Sequence, residues 1–206
     1  MIKRATEIRS EARLSLKGNW GMAVVTFLVF GIITGVIGII PWIGWILSLL
    51  ALPLSFGLAV AFLNNARTKQ GAKVETLFEG FYDYGRIFGT MLLQSVYTFL
   101  WSLLLVIPGI IKQFSYAMTP FILKDNPELK FNGAIEKSMA MMRGYKWKLF
   151  CLCLSFIGWA ILCVLTLGIG YLWLGPYIQQ SLAHFYLEVK AEYERNNGEA
   201  PAASAE

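Results

Sequence analysis

Residues 87–123 read IFGTMLLQSVYTFLWSLLLVIPGIIKQFSYAMTPFIL. Ile87 to Ile107 is as long as a helix that crosses a bilayer, for which about 20 apolar residues suffice. Pro108-Gly109 then turns the chain, and Ile110 to Leu123 follows, carrying Lys112, before Lys124-Asp125-Asn126-Pro127 closes the block. Whether that second piece crosses decides the topology of everything after it. If it crosses, every Lys and Arg except Lys112 falls on one side of the membrane. If it does not, the eight basic residues from Lys124 onward lie opposite the nine that precede Ile87. Positive residues in short loops stay on the cytoplasmic side, so the crossing arrangement is the expected one.

The rest of the chain repeats this pattern. No ionised side chain occurs from Gly18 to Ala66 or from Leu149 to Leu187, and each stretch holds two bilayer lengths around a turn signal, Pro41-Trp42-Ile43-Gly44 and Leu167-Gly168-Ile169-Gly170. The 206 residues are 56% hydrophobic and 15% charged, with mean hydropathy +0.55, more apolar surface than one soluble core of this length hides. The runs lack polar and apolar alternation, and a spanning helix satisfies its own backbone. The expected fold is therefore all-α: a polytopic membrane bundle of six transmembrane helices in three hairpins, with spans at 20–40, 44–64, 87–107, 110–123, 147–167 and 169–189. Both termini are expected in the cytoplasm.

Each hairpin opens with a basic residue, a glycine and an aromatic: Lys17-Gly18-Asn19-Trp20, Tyr84-Gly85-Arg86-Ile87-Phe88 and Arg143-Gly144-Tyr145-Lys146-Trp147. Such residues suit the start of any membrane helix, so either a true threefold repeat or a shared interfacial chemistry accounts for them. An amphipathic stretch precedes each hairpin, clearest at Val74, Leu77, Phe78, Phe81 and Tyr82, and at Phe131, Ala134, Ile135, Ser138, Met139 and Met142. This spacing predicts helices lying flat at the cytoplasmic interface. The charged region through Lys17 predicts a retained first span rather than a cleaved signal, and 191–206 reads as a disordered cytoplasmic tail.

Catalysis needs polar groups of matched protonation state brought together. The spans hold no paired carboxylates, no metal-ligand cluster, no nucleophile-base pair and no phosphate-cradling loop, so no catalytic, cofactor or metal residues are expected. Apart from Lys148 and Glu188 at the cytoplasmic ends of their spans, Lys112 is the one charge inside a span: either a functional group, or a side chain that snorkels to the nearby turn. Gln113, Tyr116 and Gln94 accompany it as lining of a candidate polar cavity, or as interhelical hydrogen-bonding groups. His184, the only histidine, either joins that path or bonds to a neighbouring helix. Cys151, Cys153 and Cys163 all fall in the fifth span, where small packing residues are expected. Asp125-Asn126-Pro127-Glu128 reads as the end of one helix and the cap of the next. The net charge of +5 is spread over several loops, which suits anchoring to anionic lipid and not nucleic-acid binding.

The run Ile107-Pro108-Gly109-Ile110-Ile111-Lys112, then Tyr116, Met118, Phe121-Ile122-Leu123, Asp125-Asn126-Pro127, Ala134-Ile135 and Ser138, resembles the bacterial integral membrane family known as domain of unknown function 975. The likeness continues through Gly144, Leu154-Ser155-Phe156-Ile157-Gly158-Trp159, Gly168-Ile169-Gly170 and Pro176-Tyr177. It implies a bacterial cytoplasmic membrane location and supplies no catalytic residues. More distantly, the pattern is similar to membrane domains attached to some glycerophosphodiester phosphodiesterases. The function expected is a non-enzymatic scaffold, accessory or envelope-maintenance protein, partnered by the bilayer and by a membrane protein or a second copy of itself. The alternative is a small transporter or lipid-handling protein working through a cavity near Lys112.

Overall fold

A computed structural model describes residues 2–39, 47, 49, 51–104, 106–166 and 168–197, with backbone only for 104, 106 and 107. The expected turn at 41–44, the first part of the 44–64 span and the tail from residue 198 lie outside the described residues. Among those described, the chain is all-α and holds no strand. We label the helices α1 (Ala5–Leu16), α2 (Trp20–Ile39), α3 (Leu52–Thr68), α4 (Tyr84–Leu104), α5 (Val106–Tyr116), α6 (Thr119–Asp125), α7 (Asn132–Met141), α8 (Lys146–Leu154), α9 (Ile157–Leu165) and α10 (Tyr171–Asn197). A 3-10 segment, Val74–Phe81, lies between α3 and α4.

Two stretches are long and apolar enough to cross a membrane: Trp20–Ile39, with mean hydropathy 2.5, and Lys146–Leu165, with 2.3. The other expected spans differ in kind. The piece at 110–123 is two short helices of 11 and 7 residues, too short singly for a bilayer. The expected second span is the 17-residue α3, whose side chains from Phe56 to Leu63 are all buried in protein. The expected sixth span continues two turns past 189, because α10 runs on to Asn197.

The amphipathic stretch expected at 74–82 folds over Val74–Phe81 as a 3-10 helix and not as an α-helix. It is a 3-10 segment packed backbone-to-backbone on α3, through two glycines. A methyl at Gly57 would stand 2.0 Å from the Leu77 carbonyl oxygen, and one at Gly80 would stand 2.3 Å from that of Pro53. Only a residue without Cβ permits such an approach. The second expected amphipathic stretch is α7, which buries Ala134, Ile135, Ser138 and Met141. The Ser138 hydroxyl donates to the Ser115 carbonyl at 2.8 Å, so α7 runs against the second hairpin.

The orientation of α3 follows from what the end of α6 touches. Lys124 Nζ lies 2.6 Å from the Glu79 carboxylate, and the next residue, Gly80, abuts Pro53 at the start of α3. Asp125 binds Arg67 at the other end of α3, at 2.6 Å. From Pro53 to Arg67 the helix rises about 21 Å. The end of α6 thus binds the last turn of α3 directly and, through Lys124, the 3-10 segment that packs on its first turn.

Exposed and buried apolar residues are segregated along the hairpins. Many large exposed ones lie toward the turns, with Ile39 at 80%, Leu103 at 74% and Leu165 at 74%, while Leu14, Tyr82 and Trp147 are exposed away from them. The returning helices α3, α6 and α10 are buried instead, sharing one core with α1 that includes Phe62, Ile122, Phe185 and Tyr186. The threefold pattern is partial. Gly18 and Gly144 both take the left-handed conformation, at φ 88° and 86°, where glycine is favoured, whereas Gly85 lies inside α4.

Candidate functional site

The polar groups meet in the base of the molecule. Asp125, the last residue of α6, has a side chain only 6% exposed. It accepts hydrogen bonds from Arg67 at 2.6 and 2.8 Å, from Lys190 at 2.7 Å and from the Tyr186 hydroxyl at 2.7 Å. The three returning helices are pinned together by this one carboxylate. Burial alone would raise its pKa, but the bonds from Arg67, Lys190 and Tyr186 outweigh burial and hold it below the usual carboxylate range. Tyr186 also stacks on Phe121, with ring centroids 5.0 Å apart. Read from the sequence, Asp125 is a helix terminus; its partners lie 58 to 65 positions away.

Further polar links fasten α10 to its neighbours. The Asn65 amide donates to the Gln180 oxygen at 2.9 Å and accepts from the Gly71 N–H at 2.9 Å. Both side chains are fully buried, and Gln180 Nε2 has no partner among the described residues. On α1, Arg9 lies over the rings of Phe156 and Tyr177 and donates to the Ser155 carbonyl at 3.3 Å. That carbonyl sits at the break between α8 and α9, so Arg9 caps a helix end that lacks an intrahelical partner.

The structure separates the residues expected to line a polar cavity. Lys112 places its ammonium over the Trp101 ring, 4.7 Å from the centroid, and 4.0 Å from the Met139 sulfur. It therefore makes a cation–π contact in the hairpin and packs against α7. Tyr116 is buried and interacts with the same Trp101, so Lys112, Trp101 and Tyr116 form one group. Gln94 Oε1 is buried without a partner among the described residues, while Gln113 is exposed.

His184 is engaged elsewhere. Its Nε2 lies 2.8 Å from the Ser15 hydroxyl, and its Nδ1 lies 4.0 Å from a Glu11 carboxylate oxygen. Ser15 lies ahead of the first expected span, and the fold brings together residues 169 positions apart. Ser15 is 2% exposed, on the buried side of α1, where a substrate carbonyl has no approach to it. The pair binds α1 to α10, beside the Lys3 bridges to Glu11 and Glu188 at 2.6 Å each.

An apolar cleft of about 350 Å³ opens beside α1, lined by Arg13, Trp20, Trp159, Thr166, Trp173 and Tyr177 among others. A second, of about 290 Å³, lies between Ile110, Phe114, Trp147 and Phe150. The three cysteines are free thiols, with Cys163 buried and Cys153 exposed. No group of metal-binding side chains occurs among the described residues. A family model described as protein of unknown function (DUF975) matches residues 1–112 and 103–193. No curated protein and no solved structure matches the chain.

Proposed function

The chain belongs to the family described as protein of unknown function (DUF975), and from its own geometry we propose that it is a non-enzymatic integral membrane protein. It acts as a scaffold, accessory or envelope-maintenance factor of a bacterial cytoplasmic membrane. The observation that carries this reading is the segregation of surface: exposed apolar side chains surround the hairpin turns, while carboxylates and cations close on one another in the base. A surface of this kind suits lipid around the turns and water around the base. Both termini and the charged base are cytoplasmic, as the clustering of basic residues favours.

Six complete crossings would carry 44–64 through the bilayer, yet the end of α6 binds Arg67 in the last turn of α3 and, through Lys124, the 3-10 segment packed beside Pro53. Arg13 lines the same cleft as Thr166 and Gly170, beside the third turn. From Gly170 to Tyr177, α10 rises only about 10 Å, against a hydrocarbon core of about 30 Å. We therefore read the hairpins as entering from the cytoplasmic face and returning to it, with the third turn ending inside the bilayer.

Single-cysteine labelling in a variant lacking Cys151, Cys153 and Cys163 tests this. A cysteine at Lys130 should react with an impermeant reagent only after the membrane is opened, and one at Ile169 under neither condition. Reaction at Ile169 from outside intact cells would establish a complete crossing and restore the six-span arrangement; reaction at Lys130 from outside would overturn the cytoplasmic base. For the scaffold role, recovery of a stable partner or a second copy in mild detergent is the expected outcome. The transporter reading rests on the unpartnered, buried Gln94 oxygen and on Lys112. It requires solute flux in proteoliposomes that Lys112→Ala abolishes.

A further inference from the structure

The cleft beside α1 contains hydrogen-bond donors without acceptors. Arg9, one turn before Arg13, spends its guanidinium on Ser155 and on the rings of Phe156 and Tyr177. Arg13 is exposed at the last turn of α1 and has no ion-pair or hydrogen-bond partner among the described residues. Trp20, Trp159 and Trp173 form the wall, and their indole N–H groups, which can only donate, are likewise without partners among the described residues. The remaining polar groups are already used. The Thr166 hydroxyl donates to Cys163 and accepts from the Gly170 N–H, and the Tyr177 hydroxyl donates to the Arg9 carbonyl.

A ligand for this cleft must therefore bring acceptors and negative charge to Arg13 and a hydrocarbon surface to the rings. Its volume, about 350 Å³, lies in the range of small-molecule sites, and Trp159 and Trp173 are each about half exposed, so the cleft is open along one side. A guanidinium fits a phosphodiester with two parallel N–H bonds, and indoles suit the level where headgroup meets acyl chain. We propose that the cleft binds one anionic phospholipid of the surrounding bilayer, its phosphate on Arg13 and part of an acyl chain along Trp159, Trp173 and Tyr177. The site rests on the membrane reading above and is distinct from the group around Lys112. A zwitterionic choline lipid is disfavoured because its trimethylammonium repels Arg13.

The test is native mass spectrometry of the purified full chain from mild detergent containing equal dioleoyl-phosphatidylglycerol and dioleoyl-phosphatidylcholine. The wild-type protein should retain one phosphatidylglycerol. Arg13→Gln should reduce that preference about tenfold, the loss of one charge-assisted contact. Arg143→Gln removes an equal charge from an exposed position outside the cleft and should leave the preference intact. Leu162→Trp, which fills the cleft from its open side, should release the lipid. The proposal is overturned if the wild-type protein shows no preference, if Arg143→Gln loses it equally, or if Leu162→Trp keeps the lipid. Flotation of wild-type protein with liposomes separates the two readings. Failure to float sinks the membrane assignment itself; flotation without lipid preference sinks the cleft alone.

Discussion

The base and the turns of this molecule are built on opposite rules. In the base, α3, α6 and α10 bring Arg67 and Lys190 within 2.7 Å of the Asp125 carboxylate, and Asn65, Gln180, Ser15 and His184 add links between buried faces. Around the turns, Ile39, Phe99, Leu103, Val164 and Leu165 stand exposed with nothing among the described residues to cover them. Removing a group from the base breaks protein against protein. Removing one from a turn changes only how the protein meets its surroundings. Stability and membrane insertion should therefore respond to different residues.

Asp125→Asn should have the largest effect. It leaves Arg67 and Lys190 without their common carboxylate, and removing one partner of a buried ion pair costs about 3–5 kcal/mol, readable as a fall in thermal midpoint in detergent. The same carboxylate sets an acid limit. Its folded pKa is depressed, so its contribution is fully present above the unfolded value of about 4 and is lost as pH falls through the folded value. Wild-type protein should lose stability through that window, and Asp125→Asn should be flatter there; an equally steep loss would mean that other carboxylates govern it.

Val164→Asp comes next and reverses the pattern. At an exposed site near the third turn, it should leave the midpoint in detergent nearly unchanged, while insertion into liposomes weakens by about 3 kcal/mol. A large fall in detergent stability would show that the turns are packed like the base. Gly57→Ala is the smallest of the three, at about 2 kcal/mol. The new methyl meets the Leu77 carbonyl, and the 3-10 segment must move. Proteolysis between Lys73 and Asp83 should quicken in that variant, and an unchanged rate would mean the segment is held by other contacts.

Helix existence was legible from composition because apolar runs of this length leave few alternatives, and α2, α4, α8 with α9, and α10 begin near the expected positions. The character of α3 was not. A helix that is apolar all round is buried either in lipid or in protein, and hydropathy does not distinguish them. Gly57 and Gly80, the residues that admit the 3-10 segment, were the available signal, but their meaning depends on a partner backbone. Lys112 was identifiable as an isolated charge, whereas its contact with Trp101 depends on how the second hairpin closes. Asp125 looked like a helix terminus because its four bonds come from α3 and α10.

By itself, the sequence determined that the chain is all-α, that it is rich in apolar residues, and that its charges fall into blocks between apolar runs. These are properties of side-chain type and spacing along the chain. Only the tertiary structure decided which apolar helices are covered by protein, which charges neutralise one another, and that Arg13 stands at an aromatic cleft with no anion of its own. Those are pairwise facts between residues far apart in sequence, fixed by packing geometry that no local pattern encodes.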